Sequence, residues 1–356
     1  MAKKIKIGPL HTNFEAPFTL NIQEEKGIIS ECNIEIGYSH RGLEGLAMKR
    51  TFEQVLQLVE RSCGLCSHTH TLAFCQAVEK IANIKPPLKA QYIRVIIAEL
   101  ERLHSHLFWL SSVYKVLGFQ EITSIILEFR ENLMKLLEYL AGNRVMFSVN
   151  IFGGVKIDIP SKKEVLKLVD NLKEPSEKLY NFFDTNISIL EKTKNIGVLT
   201  KDEALLYGVV GPTAEASGVK RDVRKDDPYE AYADIEFTQF FKEEGDAFAR
   251  IIIHFWEIFE SIKVVEQAIK KMPKGKTKQN IVKIPEGEAV ARVEAPRGEL
   301  FYYVKSNGTN IPQKVKIRVP TFANLPATRL MLLGEKIENL DLVLASIDPC
   351  FSCMER

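Results

Sequence analysis

Two C-x-x-C pairs, one early in the chain and one near its C-terminus, constrain the fold more than any other feature of the sequence. Cys63 and Cys66 lie in RSCGLCSHTH, and Cys350 and Cys353 lie in DPCFSCMER. A C-x-x-C turn places two sulfurs within reach of one metal ion, and two such turns can supply four ligands. If the pairs share one site, the fold must bring them together across the 67–349 interval.

Composition leaves thiolate chemistry open and excludes several other classes of protein. Hydrophobic residues make up 46% of the chain and charged residues 26%, which is ordinary for a soluble globular protein. Lys and Arg number 48 against 46 Asp and Glu, so we expect no nucleic-acid partner. The N-terminus shows no secretory signal, and no apolar run approaches the roughly 18 residues of a membrane span. In a reducing cytoplasm, paired cysteines are more typical of metal ligands or redox thiols than of disulfides.

Hydrophobic periodicity predicts a mainly α protein with small β regions, an α+β class. Alternating residues in 17–36 predict a β-hairpin, and residues 208–228 read as an ordered loop. Apolar positions at three- and four-residue spacing predict helices in 51–84, 89–116, 121–141, 162–195 and 229–272, the last with a break near Gly245. Strands are predicted at 288–294, 299–305 and 313–318. We expect one domain over residues 1–356, with a β-rich part (1–45), a helical body (46–272) and a C-terminal arm (273–356).

The residues alone leave several metal or redox sites open. Thiolates are soft ligands suited to zinc, copper(I), nickel and iron–sulfur clusters. A structural zinc site is one alternative, although zinc ribbons place their pairs about 15–20 residues apart. Two unrelated redox pairs are another alternative. An iron–sulfur cluster is a third, although the chain has no ferredoxin-like run of cysteines.

The two cysteine motifs together resemble those of the large subunit of nickel–iron hydrogenases. Three further segments resemble elements of that family, HRGLEGL (40–46), EAPRGELFYY (294–303) and RVPTFANL (318–325). Other segments, including ELERLHSHLFWL and GPTAEASGVKRDVRKDDPYEAY, look more like the 49 kDa quinone-site subunit of respiratory complex I. This combination is similar to the energy-converting, membrane-bound hydrogenases of group 4, the Ech type, over nearly the whole chain. The resemblance implies the hydrogenase large-subunit fold, with a helical-bundle core, an N-terminal β-hairpin and a β-containing C-terminal arm.

The resemblance implies a nickel–iron centre whose iron carries carbon monoxide and cyanide. Cys63 and Cys350 would be terminal nickel ligands, and Cys66 and Cys353 would bridge nickel and iron. The Cys350 thiolate would accept a proton first, and Glu15 would relay that proton. With these four cysteines in use, no iron–sulfur cluster is expected in this chain.

The same resemblance assigns roles to residues around the metals. Pro296 and Arg297 would overhang the iron ligands, and Arg297 would donate to a cyanide nitrogen. The hydroxyl of Thr321 would donate to the other cyanide, and Asp348 would pair with Arg297. His70 would hydrogen-bond to a bridging sulfur. Each residue also has an ordinary structural explanation, such as a strand-end ion pair for Arg297 or a turn for Thr321.

Glu44 matches a glutamate that binds a second magnesium or iron ion in many hydrogenases. Here Arg356 replaces the histidine that completes that site, which argues against the second ion and favours a structural or proton-path carboxylate. Cys32 and Cys75 match no ligand position and read as buried apolar residues. The resemblance also implies that the chain ending at Arg356 is the mature form of a longer precursor.

The implied function is that of the catalytic subunit of a membrane-bound nickel–iron hydrogenase catalysing H2 ⇌ 2H+ + 2e−. Its partners would be a small subunit with a 4Fe–4S cluster, ferredoxin-like iron–sulfur subunits, ferredoxin, and integral membrane subunits that move protons or sodium ions. It would lie peripherally on the cytoplasmic face of the cell membrane. Two alternatives remain, a non-catalytic complex-I-type subunit for quinone binding or coupling, and a zinc-stapled structural protein.

Overall fold

The computed structural model describes residues 3–11, 13, 16–280 and 283–356. Its strands form three antiparallel sheets, ordered β1-β2-β3, β4-β5 and β6-β7-β8. The strands are β1 (Lys3–Ile7), β2 (Thr19–Glu25), β3 (Ile28–Glu35), β4 (Asn150–Ile151), β5 (Gly154–Val155), β6 (Glu286–Ala295), β7 (Gly298–Asn307) and β8 (Pro312–Arg318).

Helices account for most of the regular structure, as the periodicity predicts. They are α1 (Leu43–Ala47), α2 (Phe52–Glu60), α3 (Ser67–Ile81), α4 (Leu88–Val116), α5 (Gln120–Ala141), α6 (Lys162–Asp170), α7 (Lys173–Thr185), α8 (Ile187–Thr193), α9 (Lys201–Tyr207), α10 (Pro212–Glu215), α11 (Val223–Asp226), α12 (Ala247–Lys271), α13 (Pro320–Leu332), α14 (Leu340–Ser346) and α15 (Phe351–Met354). Within the described ranges, none of these helices has both the length and the hydropathy needed to cross a bilayer.

The predicted N-terminal hairpin is confirmed and belongs to a three-stranded sheet. Strands β2 and β3 pair across a turn at Lys26 and Gly27, where φ is 54° and 84°. Strand β1 pairs with β2 from Lys3–Glu24 to Ile7–Leu20 and was not predicted. Its five residues are exposed or half-buried, so their hydrophobic alternation is too weak to identify a strand.

The centre of the helical body is α4, which packs against both α5 and α12. Fully buried apolar side chains such as Ile93, Leu110, Leu133 and Phe255 form this core. The region 51–84 divides into α2 and α3, and the loop between them carries the first cysteine pair. That pair therefore lies where two helices meet, and both helices are anchored in the core.

The predicted helix 229–272 is wrong for its first part, because α12 begins only at Ala247. The Asp246 side chain caps α12 by accepting from the Ala249 N–H at 2.8 Å. Gly245 has φ 66°, and a Cβ there would lie 2.1 Å from the carbonyl oxygen of Leu199. Upstream, the Tyr232 hydroxyl donates to the buried carboxylate of Glu99 at 2.5 Å. These tertiary contacts fix an irregular segment where the apolar spacing predicts a helix.

The C-terminal arm returns the end of the chain to the first cysteine pair. Helix α3 packs against β6 and β7, and the turn that joins these strands holds Pro296 and Arg297. Helices α13, α14 and α15 follow β8, and the Phe351 ring stacks on Phe18 with centroids 4.8 Å apart. This path places the second cysteine pair beside the start of α3.

Candidate metal centre

The four cysteines of the two pairs meet in one buried cluster. Sγ of Cys63 lies 3.3 Å from Sγ of Cys350, and Sγ of Cys66 lies 3.1 Å from Sγ of Cys353. Cys350 and Cys353 are 3.2 Å apart. A disulfide would require about 2.05 Å, so the sulfurs are free and present four soft donors to a common point.

Glu101 of α4 fixes the start of the helix that follows Cys66, a role that the sequence analysis missed. Cys66 is the N-cap of α3 but makes no side-chain cap. Instead the buried Glu101 carboxylate accepts from the N–H groups of His68 at 2.6 Å and Thr69 at 2.9 Å. It also accepts from the hydroxyls of Thr69 at 2.5 Å and Ser67 at 3.3 Å. Because Glu101 caps the helix, the Cys66 sulfur remains available to the cluster.

Arg41 ties the two cysteine loops together from outside. Its guanidinium donates to the carbonyls of Arg61 at 3.0 Å and Ser62 at 2.8 Å, just before the first pair. It also donates to the carbonyl of Ser352 at 2.6 Å, within the second pair. One side chain therefore spans both halves of the site.

Glu355 fastens the last helix to the loop that precedes α1. Its buried carboxylate accepts from the N–H groups of Gly37, at 2.6 Å, and of Ser39. The Arg41 N–H in turn donates to the Glu355 carbonyl at 3.2 Å. These bonds hold α15, and hence Cys353, in place.

A narrow cavity opens beside the sulfurs. Its lining includes seven of the residues predicted for the metal centre and its surroundings, namely Cys66, His70, Pro296, Arg297, Thr321, Cys350 and Cys353. Cys63 does not line it. The cavity therefore lies on the Cys66–Cys353 side of the cluster.

Arg297 and Asp348 form a buried pair at the edge of the cavity. The guanidinium donates to the Asp348 carboxylate at 2.7 Å and to the Asp348 carbonyl at 2.8 Å. Its third contact is the hydroxyl of Ser105 at 3.0 Å, a residue that sequence patterns did not single out. Burial alone would lower the pKa of Arg297, but the charges of Asp348 and Cys350 raise it well above its usual value. A permanent cation therefore lies beside the sulfurs.

Thr321 and His70 each contact one of the clustered cysteines. The Cys350 N–H donates to the Thr321 hydroxyl oxygen at 3.0 Å, which leaves the hydroxyl proton of Thr321 available to another acceptor. Nε2 of His70 lies 3.5 Å from Sγ of Cys353. Burial lowers the pKa of His70 to about 3, so its ring is neutral.

Crowding among the sulfurs shifts the pKa of Cys350 and the pKa of Cys66 in opposite directions. Hydrogen bonds from Cys353, Cys63 and Cys66 hold the pKa of Cys350 well below its usual value. Hydrogen bonds with Cys350, Cys353 and Cys63 raise the pKa of Cys66 well above its usual value. Of these two sulfurs, Cys350 is the more readily ionised.

Glu44 lies outside this cavity, in an ion pair. It accepts from Lys316 at 2.6 Å and from the Ile317 N–H at 3.0 Å, and Arg356 lies 3.4 Å away. Burial alone would raise its pKa, but these hydrogen bonds and charges lower it. Two side-chain cations thus balance the charge of Glu44. The predicted proton-relay residue Glu15 lies outside the described residues.

Among the described side chains, two groups with metal-ligand chemistry belong to the cluster, Cys63 with Cys350 and Cys353, and Cys66 with His70 and Cys353. Four converging thiols fit nickel and low-valent iron, which are soft acceptors. A buried guanidinium and a hydroxyl proton at the cavity wall suit anionic diatomic ligands such as cyanide. The donor set therefore fits the implied centre.

Comparisons with known proteins find similarity to two kinds of protein. Residues 41–154 match the family described as nickel-dependent hydrogenase. Residues 117–284 and 276–356 match the 49 kDa subunit of respiratory-chain NADH dehydrogenase. The chain is thus similar to hydrogenases around the first cysteine pair and to the complex I subunit over most of its remaining length.

Relatives of similar length include hydrogenases. The carbon monoxide-induced hydrogenase of Rhodospirillum rubrum is 39% identical over 99% of both chains. The membrane-bound hydrogenase subunit alpha of Pyrococcus furiosus is 35% identical over 99% of this chain and 87% of its own. A chain in the structure of the membrane-bound sulfane sulfur reductase, an archaeal respiratory membrane complex, is 31% identical, with a TM-score of 0.95 over 100% of this chain and 98% of that chain. The chain therefore belongs to the family that unites the large subunits of membrane-bound nickel–iron hydrogenases with the 49 kDa subunit of respiratory complex I.

Proposed function

We propose that this chain is the catalytic subunit of an energy-converting, membrane-bound nickel–iron hydrogenase that catalyses H2 ⇌ 2H+ + 2e−. One observation carries the proposal, the meeting of four buried, unlinked thiols from both C-x-x-C pairs at separations of 3.1 to 3.3 Å. A structural zinc site would also use four thiolates, but it would need no cavity beside them that is bordered by a buried guanidinium and a hydroxyl group. Here such a cavity lies against three of the four sulfurs.

The residues divide into a nickel side and an iron side. Cys63 and Cys350 would be terminal nickel ligands, and Cys66 and Cys353, which both line the cavity, would bridge to iron. Arg297 and Thr321 would donate to the cyanides from the cavity wall, beneath Pro296. When bound, such a centre supplies the metals on which H2 is split heterolytically.

Proton transfer would begin at Cys350. The pKa of its thiol is held well below the usual value, and Cys350 also lines a second cleft together with Arg297 and Asp348. Asn13 and Ala16 also line that cleft. By the family resemblance, the Glu15 carboxylate would accept the proton from Cys350 and pass it outward.

Electrons would leave through partner subunits. Beyond the cluster, Cys32 and Cys75 belong to no metal-ligand group among the described residues. A small subunit with a 4Fe–4S cluster and ferredoxin-like subunits would therefore connect the site to ferredoxin. Integral membrane subunits would couple the reaction to proton or sodium translocation, with this chain peripheral on the cytoplasmic face. Similarity to subunits of membrane complexes supports this arrangement.

A complex-I-type subunit that binds quinone or couples conformational change is the second candidate. The 49 kDa family match, which covers more of the chain than the hydrogenase match, favours it. The intact set of four clustered cysteines favours the hydrogenase, because quinone binding has no use for four thiolates.

Metal analysis and infrared spectroscopy of the purified complex test the proposal. We expect nickel and iron, absorption bands of metal-bound carbon monoxide and cyanide, and hydrogen–deuterium exchange activity. Cys350→Ser should abolish nickel binding and exchange, whereas the control Cys32→Ser removes a buried thiol outside the cluster and should preserve both. Stoichiometric zinc without nickel, or nickel without the infrared bands, would refute the proposal.

A further inference from the structure

His70 connects the cysteine cluster to a second buried side chain, Tyr302. Nδ1 of His70 is 2.6 Å from the Tyr302 hydroxyl oxygen, and Nε2 is 3.5 Å from Sγ of Cys353. The two rings meet edge to face, with centroids 5.8 Å apart at an interplanar angle of 78°. Tyr302, His70 and Cys353 therefore form one hydrogen-bonded row that ends on a sulfur.

The position of Tyr302 is rigidly determined. It lies in β7, the middle strand of its sheet, and pairs with Ala291 on one side and Ile317 on the other. Its fully buried ring also packs against Phe74, which belongs to the same helix as His70. The sheet and α3 together fix the distance between the hydroxyl and the imidazole.

The donors and acceptors give this row a direction. Within the described part of the chain, the structure gives the Tyr302 hydroxyl one hydrogen-bond partner, Nδ1 of His70. A buried hydroxyl proton without an acceptor is unfavourable, so the hydroxyl donates and Nδ1 accepts. A ring nitrogen that accepts a hydrogen bond carries no proton, so the ring proton of His70 resides on Nε2, which faces the Cys353 sulfur.

We propose that Tyr302 is a positioning residue that fixes the tautomer of His70 and thereby keeps an N–H donor directed at the Cys353 sulfur. The inference rests on the proposed function only in that the sulfur is taken to bind metal. An N–H donor draws electron density from a thiolate and so makes the thiolate a weaker electron donor to its metals. Without the hydroxyl, Nδ1 has no partner, and either ring nitrogen can carry the proton.

Replacing Tyr302 with phenylalanine removes only the hydroxyl, and the neighbouring tyrosine provides a matched control. Tyr303 lies on the opposite face of β7, and its hydroxyl donates to Glu288 at 2.7 Å. In the assembled complex, the carbon monoxide and cyanide bands should shift to lower wavenumber in Tyr302→Phe and stay in place in Tyr303→Phe. Unchanged bands in Tyr302→Phe would overturn the inference.

A second measurement does not depend on the metals. In the full chain before metal insertion, nitrogen-15 NMR of labelled histidines reports which ring nitrogen carries the proton, and His70→Gln identifies the signal. The wild type should show protonated Nε2, and Tyr302→Phe should show a mixture of tautomers. Protonated Nδ1 in the wild type would overturn the inference. If the wild-type complex shows no carbon monoxide or cyanide bands, the proposed function fails, while the NMR result still decides the role of Tyr302.

A double substitution tests whether Tyr302 acts through His70. In a His70→Gln background, Tyr302→Phe should cause no additional band shift, because the connecting imidazole is already gone. A further shift of similar size would mean that Tyr302 reaches the metals by another route, and the positioning role would be rejected.

Discussion

Replacing Glu101 with glutamine should remove a pH-dependent contribution to the stability of the helix that begins beside Cys66. Glu101 accepts four hydrogen bonds from Ser67, His68 and Thr69, and these favour the ionised carboxylate. Burial opposes them more strongly and raises the pKa of Glu101 from 4.5 to about 7. Glutamine has nearly the same shape and does not titrate.

The sign of the effect follows from the raised pKa. The folded carboxyl binds its proton more tightly than the unfolded one, so this stabilisation is fully present below about pH 4.5 and is lost as the pH rises through about 7. A pKa difference between 4.5 and about 7 corresponds to about 3 kcal/mol of unfolding free energy, at about 1.4 kcal/mol per pKa unit. The wild type should therefore lose about 3 kcal/mol relative to Glu101→Gln between these two pH values.

Urea unfolding of the isolated chain, followed by circular dichroism across this pH range, measures the difference. Glu128→Gln is the matched control, because Glu128 is exposed on α5 and its substitution should leave the pH profile close to that of the wild type. If the wild type instead gains stability over Glu101→Gln as the pH rises, the hydrogen bonds outweigh burial. The folded pKa would then lie below 4.5, and the reasoning would be refuted.

Two further predictions concern the surroundings of the cluster. Arg41→Met should lower the nickel content of the complex severalfold because it releases both cysteine loops, whereas Arg50→Met, which removes a contact to the neighbouring Lys49 carbonyl, should not. Equal nickel in the two variants, measured by mass spectrometry, would exclude the bridging role of Arg41. Glu44→Gln should leave the magnesium and non-cluster iron content unchanged, because Lys316 and Arg356 already balance its charge. Loss of one such ion per chain would show that Glu44 is a ligand after all.

Sequence reasoning succeeded where the signal is local. Alternating apolar residues around a turn predict the hairpin at Lys26 and Gly27. Apolar residues at helical spacing predict the long helix α4. Both patterns lie within a short stretch of sequence. The two C-x-x-C turns are also local patterns. Together they predict one shared site, but they do not predict the path of the chain that brings the pairs into contact.

The remaining features depend on long-range contacts that no local window contains. Glu101 and Glu128 both read as helical glutamates, yet one caps α3 from a buried position and the other is exposed. The spacing of the apolar residues in 229–246 is typical of a helix. The Tyr232 hydroxyl, however, hydrogen-bonds to Glu99, which lies 133 positions away in the sequence. No local pattern links Ser105 to Arg297, because this contact joins α4 to the β6–β7 turn across 192 positions of the sequence.

The contact between Cys63 and Cys350 joins residues 287 positions apart, and this separation bears on the order of folding. Contacts between distant segments form slowly, since the chain entropy of closing the loop must be overcome before the contact stabilises anything. The helices α4, α5 and α12 can associate first, whereas the fourfold sulfur cluster forms only after the C-terminal arm has docked. A metal would then bind to a chain that is already almost completely folded. Its binding would chiefly lower the unfolding rate and would leave the folding rate nearly unchanged.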